Sequence, residues 1–382
     1  MQWFPTRKHL GRRSNRMGSL NTTKPKTRLS NSNLLFIIAG IIFVLMYGFA
    51  LISFPGSFMQ FQTFFDLFNL NAALIILTLG LCIVMIVGGI DISIGAVCGL
   101  VTMACAMLLE SPMGNVWGAL LLALGIGIAF GILHGYLIAY LEIQPFIITL
   151  AGLFLAQGLL TTLHKDPINV TMPAFVALRD FKIVIPWLGT QNRLGFFIPC
   201  EIKPGVIVVV VLVVLFAALM KWSRFGRNVY AVGGNSQSAR MLGINVKRTI
   251  FFSYVICGLT AGIAGFVFIM TTGAGNIGNG SLFEIKAIAS NVIGGILLNG
   301  GVGNLLGAPI GTLTLLVINE LIRAAGVQSN FQAIVSGLLL YLFIVLQSIV
   351  MSLRGRRKFR LALPPWLKPH WLQGKKKAEN QG

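Results

Sequence analysis

Long apolar runs separated by short polar punctuation dominate the chain. A helix needs about 20 mostly apolar residues to cross the hydrocarbon core of a bilayer. Ten segments meet that description, at about 34–52, 69–90, 92–109, 116–139, 145–163, 204–221, 250–271, 286–299, 304–323 and 330–350. The eighth is short and ends in Asn299-Gly300-Gly301. A helix that stops at membrane depth needs its freed backbone groups shielded by protein or water, so this one is expected to lie buried between neighbours. The pattern predicts an all-α polytopic membrane protein. A transmembrane domain over 34–350 lies between a basic tail at 1–33 and a second at 351–382.

Composition excludes the competing classes. Of 382 residues, 55% are apolar and only 10% charged, and the mean hydropathy is +0.82. A soluble domain carries roughly 25% charged residues, so a soluble enzyme, a disordered chain and a fibrous repeat are all ruled out. The net charge of +20 must then sit outside the bilayer.

Lysine and arginine collect on the cytoplasmic side of membrane proteins. The first 33 residues hold eight of them, the stretch 221–248 holds six, and the tail from Arg354 holds nine against the single acid Glu379. With ten spans all three regions fall on one face, so both termini are expected in the cytoplasm. Nine or eleven spans would put one basic tail on the wrong side. The acid-free N-terminal stretch also has the composition of a mitochondrial transit peptide, but the positive-inside pattern of the whole chain explains it without one. The runs Arg356-Arg357-Lys358 and Lys375-Lys376-Lys377 read as topology signals lying against anionic membrane lipid, not as nucleic-acid contacts. Met17 is an alternative initiator to Met1.

Small residues at every fourth position mark helix contacts in lipid. Gly127, Gly131 and Gly135 have that spacing, as do Gly303, Gly307 and Gly311, and Gly258 with Gly262. Pro309 is expected to bend the ninth span. The five cysteines show no Cys-x-x-Cys spacing and read as packing residues. The segment 164–203, with five prolines when Pro204 is included, is long for a connection and reads as an external cap or docking surface. Two halves of five spans would run in opposite directions, as in inverted repeats. The echo of Gly88-Gly89-Ile90 in Gly294-Gly295-Ile296 falls on the second and eighth spans, six apart, and does not support that repeat.

Asp91 is the only acid between Asp66 and Glu110 and sits where the second and third spans meet. A carboxylate at membrane depth needs a partner or water. Gly88, Gly89 and Gly95 permit a broken helix there, and Asp91 with Ser93 could cap the third span. Lining a solute path is the other role open to it. Neutral polar residues recur along the spans: Asn71, Thr149, Gln157, Asn291 and Asn299. Each suits either a hydroxylated solute or a bond between helices. His134 reads as an isolated interior ring. Glu320 pairs with Arg323, and Glu284 and Lys286 flank the eighth span.

No phosphate loop, His-Glu-x-x-His or Gly-x-Ser-x-Gly occurs. The chain is therefore not read as an enzyme, no metal or cofactor is assigned to it, and any ATP hydrolysis belongs to another subunit. The loop 221–248 has its own design. Gly233 and Gly234 break the chain, Asn235 caps, Ser236 to Leu242 makes two helical turns with Ala239 inside them, and Gly243 stops it. A short helix on the cytoplasmic face would receive a push from an ATPase.

Several stretches together resemble the permease subunit of bacterial ABC importers for sugars, the family of the ribose, xylose and galactofuranose permeases. They are Gly88-Gly-Ile-Asp-Ile-Ser-Ile-Gly95, Pro145-Phe-Ile-Ile-Thr-Leu-Ala-Gly152, and Arg224-Phe-Gly-Arg-Asn-Val-Tyr-Ala-Val-Gly-Gly-Asn235 continuing through Ala239 to Gly243-Ile244. Ala287-Ile-Ala-Ser-Asn-Val-Ile-Gly-Gly295 and Gly300-Gly-Val-Gly303 also fit. Within the family the galactofuranose permease is the nearest likeness. The resemblance implies a bacterial inner-membrane protein that pairs with a second permease, a copy or a paralogue, and with ATPase subunits that use ATP. It also implies a periplasmic sugar-binding protein, which 164–203 would help face, and a coupling role for 233–244. Ala96 and His134 depart from the family's usual Ser and Asn. Branched-chain amino acid or nucleoside permeases and ion-coupled carriers are the alternatives.

Overall fold

A computed structural model describes residues 31–191 and 197–326, with isolated helical positions between 331 and 349. The basic tails, Met17 and most of the tenth expected span lie outside the described residues. Helix α1 (Asn31–Ser53) is followed by the short α2 (Pro55–Phe58), then α3 (Phe61–Asn69) and α4 (Ala72–Val87). The last two meet at a bend of 56°. Next come α5 (Ile94–Glu110), α6 (Val116–Ala139) and α7 (Pro145–Leu163). The segment beyond α7 contains β1 (Ile168–Asn169), α8 (Pro173–Asp180), β2 (Ile183–Gln191) and β3 (Phe197–Ile202). Helices α9 (Pro204–Trp222), α10 (Arg224–Gly234), α11 (Ser236–Met241) and α12 (Val246–Thr272) follow. Strand β4 (Ala274–Gly275), α13 (Phe283–Ile293) and α14 (Gly307–Ala324) complete the described elements.

The boundaries follow local chemistry. Pro145 and Pro204 open α7 and α9 at the first helical position, where a missing N–H costs nothing. Asn115 and Asn245 cap α6 and α12 by accepting from Trp117 N at 2.8 Å and Arg248 N at 2.9 Å. Helix α12 packs against α4, α5 and α6 and forms the centre of the bundle. Gly127 and Gly131 of α6 lie so close to Gly258 and Gly262 of α12 that no Cβ fits on either side. The small-residue face expected from the sequence is therefore the main helix contact.

Four expectations change. The molecule is not purely helical: β2 and β3 form an antiparallel pair and β1 pairs with β4. The eighth span is an 11-residue helix, Phe283–Ile293, because Gly294 and Gly295 (φ 85°) end it early. Pro309 causes no bend, since it lies in the first turn of α14, where backbone N–H groups have no helical partner. Gly303 precedes α14 and contributes nothing to its packing face; Gly307 and Gly311 do, against Gly294 and Ser290. Among the described residues five helices are long and apolar enough to cross a membrane, or six with α3 and α4 as one bent span.

Candidate functional site

Helix α4 ends at Gly88 in the left-handed conformation (φ 93°), with Gly89 N donating to Val84 O at 2.9 Å. This is a glycine-terminated helix end. Five residues of irregular chain, 89–93, follow before α5. Ile90 O accepts a hydrogen bond from Tyr254 of α12 at 3.1 Å, and that ring leaves no room for a Cβ at Gly89. Asp91 is 2% exposed. Its Oδ1 accepts from Ser93 N at 3.0 Å and from the Ser93 hydroxyl at 2.7 Å. Asp91 therefore closes a tight turn two residues before the helix, while Ser93 occupies the cap position and makes no side-chain cap bond. The expected cap is corrected accordingly: the carboxylate stiffens the break instead of capping the helix beyond it.

Across the break, Asp91 Oδ2 lies 3.9 Å from Nδ1 of His134 on α6, and Ser93 Oγ lies 3.5 Å from the same atom. His134 is thus no isolated ring. Its Nε2 finds no hydrogen-bond partner and rests on Gly152 of α7, where any side chain would collide with it. Helix α6 continues five residues beyond His134, about 7 Å at 1.5 Å per residue. The broken helix therefore lies inside the bundle, more than a turn short of the end of α6. Residues 43 positions apart meet here because the Gly127–Gly131 face sets the rotation of α6.

A second glycine cluster joins this break to the basic loop. Gly301 N donates to Ile86 O at 2.8 Å, two residues before Gly88. A Cβ on Gly233, near the end of α10, would strike Ile86 O and Gly301 N, and one on Gly300 would lie 2.8 Å from Gly88 Cα. Three chain segments, the ends of α4 and α10 and the loop after α13, meet backbone to backbone. Large side chains would hold them apart.

Beyond Gly233 and Gly234 the chain behaves as its sequence predicts. Asn235 Oδ1 accepts from Ser238 N at 2.8 Å, Ala239 is buried, and Gly243 (φ 80°) ends the turn after α11. Met241 and Leu242 are about four-fifths exposed at its tip, with relative exposures of 82% and 79%. The preceding residues, expected as loop, form α10. Nearby, Lys247 pairs with Glu142 at 2.9 Å, and this bond holds the Glu142 carboxyl below the usual carboxylate range.

The remaining candidates scatter. Asn71 bonds Leu67 O at the α3–α4 elbow, and Thr149 bonds Pro145 O within α7. Asn291 donates to Thr78 O at 3.1 Å in the core, and Thr78 meets Thr312 at 3.1 Å. Gln157 and Asn299 are exposed. Gly95 makes room for the buried carboxylate of Glu284, which turns inward instead of flanking a span at the water interface. Glu320 and Arg323 pair at 3.1 Å as expected.

A family described as "Branched-chain amino acid transport system / permease component" matches residues 63–344. The chain belongs to that family. It is 33% identical over 327 residues to the fructose import permease protein FruG of Bifidobacterium longum, covering 84% of this chain and 93% of that one. The inner membrane ABC transporter permease protein YjfF of Escherichia coli is 35% identical over 316 residues, 82% and 92% of the two chains. The ribose import permease protein RbsC of Escherichia coli is 29% identical over 295 residues, 76% and 87%. No solved structure matches. The permease is a multi-pass membrane protein whose glycine-rich helix break falls within the matched region, as does the loop that touches it.

Proposed function

We propose that this permease is the membrane subunit of an ATP-binding cassette importer carrying a neutral monosaccharide, galactofuranose or another pentose or hexose, into the cytoplasm. The observation that carries the reading is the backbone contact of Gly233 with Ile86 and Gly301. It ties a solvent-exposed helix to a break in the membrane-embedded bundle. In this reading α11 seats in a separate ATPase subunit that binds ATP. Closure of that subunit moves α10, and the shared backbone contacts carry the motion to Gly88 and Asp91. No bond in the solute is made or broken. The sugar assignment rests on relatives whose names record fructose and ribose import.

The topology that accompanies the reading has ten spans and cytoplasmic termini. Helices α5, α13 and α14, shorter or less apolar than their neighbours, count as spans inside the bundle. The helical positions near 331–349 supply the tenth. A second permease, copy or paralogue, completes the pathway, and the folded cap beyond α7 faces a periplasmic sugar-binding protein. Reconstitution with a cognate ATPase and sugar-binding receptor tests this. Uptake of a labelled sugar, measured beside fructose, ribose, leucine and a nucleoside, should require ATP and receptor. Concentration of solute by the permease alone would refute the importer reading.

A further inference from the structure

The chain between β4 and α13 dips into the bundle without forming a helix. Gly275 lies against Met103 and Ala106, the Asn279 carbonyl against Gly99, and the Gly280 carbonyl against Gly95. From Ala106 to Gly95 is about 16 Å along α5. Residues 276–282 therefore descend most of the length of that helix and end close to the Asp91 break. None is in a helix or strand and 277–282 are turns, with Leu282 at a φ of 62°, uncommon for a residue with a side chain. Positions 276, 277, 278, 281 and 282 are nevertheless exposed.

This combination conflicts with a lipid surface. Irregular backbone at membrane depth is tolerated only where protein buries it or water reaches it. The segment satisfies part of its polar inventory itself: Asn276 Oδ1 accepts from Gly278 N at 3.0 Å, and Asn279 Nδ2 donates to Ala274 O at 3.0 Å. The Ser281 hydroxyl and the Asn276 amide N–H groups have no partner among the described residues. On neighbouring α7, Leu160 packs on the same Gly99, and Gln157, three residues before it, is exposed. The exposed surface offers amide and hydroxyl groups that suit hydroxyls.

We infer that residues 276–282 line a water-filled solute path, with Asn276, Asn279 and Ser281 contacting the hydroxyl groups of a polyhydroxylated neutral solute. The inference rests on the importer reading for its choice of solute, and it adds the surface that recognises that solute. Broken helices around such a segment would let it widen and close with little loss of backbone bonding.

The test is thiol labelling in the assembled importer. The five native cysteines are buried, so introduced thiols stand out. Asn276→Cys and Ser281→Cys should react with a membrane-impermeant thiosulfonate, whereas Val211→Cys on the exposed apolar face of α9 should not. A transported sugar should slow labelling at least about threefold, and Asn279→Ala should raise the KM for uptake about fivefold, the effect of one lost hydrogen bond. Reaction only with a membrane-permeant maleimide would overturn the inference. So would oxidative cross-linking of Ser281→Cys to the second permease without impermeant labelling, or labelling that no sugar slows and no KM change accompanies. Labelling requires no ATP, so failure of ATP-driven uptake and failure of this surface are read separately.

Discussion

The amide of Gly301 donates to the carbonyl of Ile86 at 2.8 Å, joining the loop after α13 to the last turn of α4. Gly233 sits on that same bond with no space for a methyl group, while the outward side of Gly234 is open. Gly233→Ala should therefore lower ATP-dependent uptake by about tenfold or more, a loss of about 1.4 kcal/mol in coupling. Gly234→Ala should leave it near wild type. Assembly with the ATPase and basal hydrolysis, measured in parallel, should survive both changes; equal uptake by the two variants would remove Gly233 from the coupling route.

Gly152 and His134 form a matched pair. A methyl group at 152 meets the imidazole directly, so Gly152→Ala should destabilise the bundle by about 1–3 kcal/mol through overpacking. Adding His134→Asn, a shorter side chain, should restore much of the melting temperature in detergent. An unrescued double variant would show that the contact is not what limits Gly152.

Asn291 donates to Thr78 across α13 and α4 and is fully buried. Asn291→Ala should lower stability by about 1 kcal/mol, a usual size for a polar bond between membrane helices. The KM for uptake should stay unchanged, because the side chain is buried between helices. A raised KM with unchanged melting would reverse that assignment.

Met241 and Leu242 project from the end of α11, and none of the described residues covers them. Met241→Asp should cut co-purification of the ATPase severely without affecting membrane insertion, as expected for an apolar anchor. Full recovery of the complex would move the seat elsewhere.

The linear pattern was most informative where a rule of spacing acts locally. The apolar runs placed α1, α6, α7, α9 and α12 to within a few residues. Asn235, Ala239 and Gly243 marked α11 because caps and stops act within a turn. Spacing failed where neighbours decide. Pro309 looked like a kink until the start of α14 placed it in the first turn, and His134 looked isolated although Asp91 faces it. The dip at 276–282 fell between two expected spans, where spacing rules carry no signal for depth.

Sequence alone determined the membrane class and the glycine stops at Gly88 and Gly243. Apolar length, lysine and arginine bias and glycine chemistry are properties of short stretches, and no distant contact alters them. Only the tertiary structure decided which breaks meet. Gly88, Gly233 and Gly301 lie far apart in the chain and touch because α12 fixes the positions of α4 and α6 through close glycine packing. That arrangement is set by the fit of whole helices, which no single segment encodes.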